Sequence, residues 1–146
     1  ILSRVAKGLI KIIIEIIVVT ILVTSINICL NGMYLLGLPD FDEIQSVRIS
    51  YPNITNEVKE FSDDYNIELA LKLTGFLKYD LFEKTENIEN TSEPLITITY
   101  HLKDGTMKEI SANNTVVWWK GKKYIIKDKD MFVNLTEGIF FLEDIQ

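Results

Sequence analysis

The chain has very little of what stapled, metal-bound or nucleophile-driven proteins depend on. It holds one cysteine, Cys29, and one histidine, His101. A lone cysteine forms no internal disulfide, so a disulfide scaffold is excluded. Bulky Ile28 stands where a lipoprotein signal needs a small residue, so Cys29 is not expected to carry lipid. No H-E-x-x-H, G-x-x-x-x-G-K-[ST], C-x-x-C or G-x-G-x-x-G run occurs, which removes the signatures of zinc peptidases, phosphate-binding loops, redox dithiols and dinucleotide folds. The paired acids, Asp63-Asp64 and Asp128-x-Asp130, lack the ladder of oxygen ligands that a calcium loop requires. The first reads as a helix cap, the second as a loop and a second cap. His101, beside Met107, reads as a surface strand residue. No catalytic activity, no metal and no cofactor are expected.

Charge is scarce in one place. Ile12–Leu30 is nineteen residues with a single ionisable side chain, Glu15, apart from the thiol of Cys29. As a helix it spans roughly 28 Å, close to the hydrocarbon thickness of a bilayer. Arg4, Lys7 and Lys11 precede it; Asp40, Asp42 and Glu43 follow, and the next basic residue is Arg48. That asymmetry predicts a cytoplasmic N-terminus and an extracellular C-terminal domain at the cell membrane. Residues 1–39 are expected to form the anchor, with a transmembrane helix over about 9–36, and residues 40–146 the extracytoplasmic domain. Signal-peptidase cleavage after Val23-Thr24-Ser25 is the rival reading, opposed by the length of the run and by apolar residues continuing to Leu38. The chain opens on Ile1, which leaves a preceding segment open. Within the anchor, Glu15, Asn27 and Asn31 are candidate membrane-helix contacts, because polar groups in a membrane favour partners. The alternative for Glu15 is an interfacial acid paired with Lys11.

The first 39 residues carry three bases and one acid; the remaining 107 carry twelve bases and twenty acids. An acidic outer domain of that size holds one core without staples and disfavours nucleic acid and anionic lipid as partners. Abundant Ile, Lys and Asn suggest an AT-rich bacterial gene. The Asn-x-Ser/Thr sequences at Asn53, Asn90, Asn113 and Asn134 matter only in a eukaryotic secretory context.

Local patterns predict an α+β domain in which an antiparallel β-meander packs against a helix, in the order TM-β-β-α-β-β-β-β-α. Gly32, Gly37 and Pro39 predict a linker. Ser46–Tyr51 alternates apolar and polar, and Glu57–Phe61 is expected to return as a hairpin. Ser62-Asp63-Asp64 caps a helix from Tyr65 to about Tyr79, whose apolar face runs through Ile67, Ala70, Leu71, Thr74 and Leu77, with Glu68 and Lys72 paired on the wet side. Glu83–Pro94 is polar and acidic and reads as an exposed, mobile loop. Four strands then follow, Leu95–Leu102, Thr106–Ala112, Thr115–Lys120 and Lys123–Lys127, with turns at Lys103-Asp104-Gly105, Asn113-Asn114 and Gly121-Lys122. A short helix is expected within Asp130–Leu142, weakened by Gly138.

Turn lengths set the register, and register sorts side chains by face. They place Ile98 opposite Ile110, Tyr100 opposite Lys108, Ile110 opposite Val117, Val117 opposite Ile126 and Trp119 opposite Tyr124. One face collects Ile96, Ile98, Tyr100, Leu102, Ile110, Ala112, Val117, Trp119, Tyr124 and Ile126 as core, with Lys108 the misfit. The other carries Val116, Trp118 and Ile125 at its centre, flanked by Thr97, Thr99, His101 and Glu109. That set is the candidate ligand-binding surface, with Lys120, Lys123 and Lys127 as a rim suited to an anionic group. The competing arrangement has the C-terminal helix or the first hairpin covering Trp118 as a second core.

The V-R-I strand (Val47–Ile49), the acidic cap leading into a helix (Asp63 to Leu73), L-I-T-I-T-Y-H-L-K-D-G (Leu95 to Gly105), G-K-K-Y-I-I (Gly121 to Ile126) and the G-I-F-F tail (Gly138 to Phe141) resemble an uncharacterised exported or membrane-anchored module of Gram-positive, clostridial-type gut bacteria. The resemblance covers residues 46–141. It implies an α+β module behind an anchor, found alone or behind the membrane domain of proteins similar to antibiotic-sensing membrane peptidases. With no metallopeptidase motif here, that activity does not carry over. The expected function is a non-catalytic, membrane-anchored binding or sensing module whose partners are the lipid bilayer and a protein or cell-envelope ligand, with no nucleic acid. The alternative is a structural or assembly subunit recognised through its transmembrane helix.

Overall fold

A computed structural model describes residues 1–145 apart from 84, 85, 87, 90 and 91. The chain forms α1 (Leu2–Asn31), β1 (Met33–Tyr34), a 3-10 turn (Phe41–Glu43), β2 (Ile44–Ser50), β3 (Lys59–Phe61), α2 (Asp64–Gly75), β4 (Lys78–Asp80), β5 (Ile96–Leu102), β6 (Met107–Ala112), β7 (Val116–Trp119), β8 (Lys122–Ile126) and α3 (Met131–Phe140). Among the described residues the fold is α+β: an eight-stranded antiparallel sheet in the order β1-β4-β8-β7-β6-β5-β2-β3, and three α-helices.

α1 is long and apolar enough to cross a membrane, and apolar side chains from Val5 to Ile26 along it are exposed. It ends sooner than expected. Gly32 takes a left-handed φ of 83° while its N–H bonds the Ile28 carbonyl, and the chain turns out of the helix. Met33 and Tyr34 then pair with Tyr79 and Lys78, so helix continuation to residue 36 is replaced by a strand. The expected linker lies against the domain. Leu35 is buried, and the Leu36 carbonyl accepts from Trp119 Nε1 at 2.9 Å. The Gly37 carbonyl accepts from Lys108 Nζ at 2.8 Å, which gives the misfit lysine its partner.

Asp63 caps α2, accepting from the Asn66 backbone N–H at 3.1 Å and from its side-chain amide. Those bonds stabilise the carboxylate and hold Asp63 below its ordinary range. Glu68 and Lys72 pair at 3.5 Å on the wet side, where such pairs contribute little. α2 stops at Gly75 rather than near Tyr79. Leu77 stays buried, but Tyr79 turns into β4, a strand the periodicity did not disclose.

The meander strands fall where expected, and the first turn gives the expected pairs, Ile98 with Ile110 and Tyr100 with Lys108. The next two turns differ. Asn113 bonds the Thr115 and Val116 N–H groups through its side-chain oxygen, which makes Asn114-Thr115 the loop and sets Ile110 opposite Trp119. At the last turn Lys120 and Gly121 both adopt positive φ, 51° and 75°, as a type I′ hairpin requires, setting Val117 opposite Tyr124 and Trp119 opposite Lys122. Each partner therefore shifts by two residues. An even shift preserves face, so the ten expected core-face residues all face inward, nine buried and Tyr124 packed at the margin.

Both α2 and α3 cover this face. Tyr100, fully buried on β5, donates to the Ala70 carbonyl at 2.9 Å and lies 2.7 Å from the Thr74 hydroxyl, tying α2 to the sheet. Phe61, paired with buried Val47, packs on Phe140 of α3, and Tyr51 meets Phe141 edge-on at 5.5 Å. Tyr51 also donates to Glu137 at 2.7 Å. Asp130 occupies the N-cap position of α3, but its side chain makes no capping bond. The β2–β3 hairpin widens the sheet instead of folding over it.

Candidate functional site

The face opposite the two helices carries the sequence-predicted site. Cross-strand registers align Ser50, Thr97, Ser111, Trp118 and Lys123 in one row through β2, β5, β6, β7 and β8. The adjacent row holds Val116, Ile125 and Asp80. Thr97 and Ser111 hydroxyls bond at 3.0 Å, which fixes both beside Trp118. Thr99 and Glu109 form the row on the other side, with Arg48 beyond Thr99. Val116, Trp118 and Ile125 are thus contiguous, Ser111 stands between Trp118 and Thr97, and Thr99 and Glu109 flank.

His101 does not join them. It lies four residues along β5 from Thr97, about 13 Å away at ordinary strand rise, between Ser46 and Met107. Its Nε2 is shielded and has no hydrogen-bond partner. Among the described residues, no three His, Cys, Asp or Glu side chains gather as a metal site.

The apolar centre is deeper than a bare surface. Val116 and Ile125 are only 3% and 7% exposed, whereas Trp118 is half-buried. Val116 and Ile125 line a cleft of about 410 Å³ whose other walls include Glu83, Ile88, Glu89, Ser92 and Lys129, and Trp118 lies one row away. Glu83, Ile88, Glu89 and Ser92 of the acidic stretch therefore lie beside the patch; Lys84, Thr85, Asn87, Asn90 and Thr91 lie outside the described residues, and with them the expected mobility of that stretch and the sequence at Asn90. Asn113 donates to Ser92 Oγ and the Glu93 carbonyl, and Asp80 accepts from the Phe82 and Glu83 N–H groups, holding the two ends of the crossing. Sequence reasoning missed this wall. Its signal was Ile88, the one apolar side chain in the stretch apart from Pro94.

The expected basic rim is dispersed. Lys127 Nζ lies 3.5 Å from Asp80 and 3.4 Å from the Cys29 carbonyl, where it supplies positive charge at the C-terminus of α1. Lys120 packs over the Trp119 ring and beside Gly37. Lys123, across from Trp118, remains on the site face. With Glu83, Glu89 and Glu109 nearby, the expectation of an anionic ligand gives way to a site of mixed charge.

On α1, Asn31 donates to Asn27 at 2.6 Å. Glu15 lies with Ile12, Ile16, Val19 and Thr20 on a shallow surface of the helix. Twelve residues separate Glu15 from Asn27, about 120° around the axis, so the three expected contacts do not share one face.

No family model matches the chain, and no curated protein or solved structure matches it.

Proposed function

We propose that this chain is a non-catalytic binding or sensing module held outside the cell by α1, with its N-terminus in the cytoplasm. Lys and Arg before the apolar run and acids after it support that orientation. The observation that carries the binding reading is the sheet face that neither α2 nor α3 covers, where Trp118 stands one row from Val116 and Ile125, which line a cleft. A rigid aromatic beside a partly enclosed apolar floor, with Thr97, Thr99, Ser111 and Glu109 offering hydrogen bonds, suits a protein segment or cell-envelope fragment with both apolar and polar surface. The joint between α1 and the sheet is short and packed: Gly32 lies against Tyr79 and Lys127, leaving no slack linker between membrane and domain.

Titrating the full chain in lipid nanodiscs with cell-envelope fragments and peptides, while following amide and indole chemical shifts, tests the site. The reading expects changes centred on Trp118, Val116 and Ile125. Changes confined to Glu83–Pro94 would move the function to that stretch. The rival reading, an assembly subunit recognised through α1, draws on the Asn27–Asn31 pair. Replacing α1 by an unrelated apolar helix separates the two: a binding module keeps its ligand, and an assembly subunit loses its partner.

A further inference from the structure

We propose that the free edge of β3, together with the groove between β3 and the end of α3, accepts an extended cationic peptide as an added strand. This surface is distinct from the Trp118 face and lies on the strand that ends the sheet. The hydrogen-bond alternation can be followed to that edge. Leu102 N–H bonds the Thr106 carbonyl, so even-numbered β5 residues point their backbone groups at β6 and odd-numbered ones at β2. The β2–β5 register then directs Arg48 toward β5 and leaves Val47 and Ile49 to bond Phe61 and Lys59. The N–H and carbonyl of Glu60 consequently face away from the sheet, as an acceptor strand requires.

The groove beside that edge has a volume of about 750 Å³. Its walls include Val58, Ile139 and Leu142, which are 45%, 41% and 52% exposed. Among the described residues its charged walls are Glu57, Glu60 and Glu143, with one lining cation, Lys59, held by Asp144 at 2.7 Å. An added strand sends alternate side chains to opposite faces. Apolar side chains on the helix side enter the groove, and cationic ones on the other side meet Glu60, whose existing partner Arg48 is distant at 3.8 Å and half-exposed. Charge also selects among occupants. A second copy pairing edge to edge about a two-fold axis would set Glu57 and Glu60 against the same residues, and like charges across strands are destabilising.

The test uses the full chain in nanodiscs and a fluorescent, end-capped peptide of alternating lysine and valine, read by anisotropy. Binding should be saturable, absent for the glutamate–valine counterpart, and weaker by about fivefold or more between about 0.05 and 0.5 M salt. N-methylating one alternate set of peptide amides should abolish binding, and methylating the other set should leave it within about twofold, because one edge of an added strand faces β3. The Glu57→Gln, Glu143→Gln double variant should bind about tenfold more weakly with an unchanged melting curve, and Glu60→Gln should weaken binding separately. Tolerance of both methylated sets, no binding of the lysine–valine peptide, or unchanged affinity in both variants would overturn the proposal. A dimer in sedimentation that the peptide does not dissociate would overturn it as well, assigning the edge to a second copy.

Discussion

Replacing each tryptophan by alanine separates the two faces of the sheet. Trp119 is 5% exposed, packed in the core, and bonded through its indole N–H to the Leu36 carbonyl. A buried aromatic removes about 150–250 Å² from water, worth about 4–6 kcal/mol at about 25 cal/mol per Å² as an upper bound. Measured truncations of this kind cost about 3–5 kcal/mol. Leu36 is 61% exposed, so its carbonyl regains water and the lost hydrogen bond adds less than about 1 kcal/mol. Trp118, partly exposed on the face without helices, keeps at most about a third of its area wet and borders no helix, so it should cost less, about 2–3 kcal/mol. Thermal unfolding of the full chain in detergent, followed by far-UV circular dichroism with α1 as a constant background, measures both. At about 4–8 °C per kcal/mol, Trp119→Ala should lower Tm by more than about 12 °C, and Trp118→Ala should melt between Trp119→Ala and the unaltered chain. Equal large losses would mean that the Trp118 face is a second core. A reversed order would mean that the sheet register is off by one residue.

Tyr100→Phe should cost about 1–2 kcal/mol by removing the hydroxyl that joins Thr74 to Ala70, and Thr74→Val should cost less in that background than alone; additive losses in a double-mutant cycle would show the two do not interact. Burial first, then the hydrogen bond to Glu137 and its charge, push Tyr51 up to about 12. The unfolded phenol ionises near 10, so the Tyr51 contribution is whole below about pH 10 and is lost as pH rises through about 12. Urea midpoints should fall across that window, and Tyr51→Phe should remove that part of the fall; an identical profile in the variant would refute the assignment. At Gly32, an added Cβ would lie 2.8 Å from the Tyr79 carbonyl on a backbone with φ 83°. Gly32→Val should therefore cost more than about 1 kcal/mol and raise hydrogen exchange at Tyr34 and Lys78, and unchanged protection there would contradict a packed joint.

The meander was legible because its strands are long enough for apolar residues to alternate, and the faces survived two misplaced turns because each error moved partners by an even number of residues. What the pattern missed was short. β1 and β4 have two and three residues, too few to show a period. α2 and α3 are each amphipathic, but amphipathicity names a buried stripe and not the side of the sheet it meets. That choice comes from long-range packing of Phe61, Phe140, Tyr51 and Phe141. In the candidate site, Val116, Trp118, Ile125 and Thr97 were readable from parity. His101 shares their face but is too far along β5, and local pattern does not encode that Glu83, Ile88, Glu89 and Ser92 come to the site as a wall.

The orientation of the chain across the membrane is tested most directly by a single reporter thiol. In a Cys29→Ala background, Lys103→Cys puts a cysteine in the exposed β5–β6 turn, and Ser3→Cys puts one near the N-terminus. Intact cells expressing each variant are treated with a membrane-impermeant maleimide. An extracytoplasmic domain on α1 requires Lys103→Cys to label in intact cells and Ser3→Cys to label only after lysis. Labelling of Lys103→Cys only after lysis would contradict it.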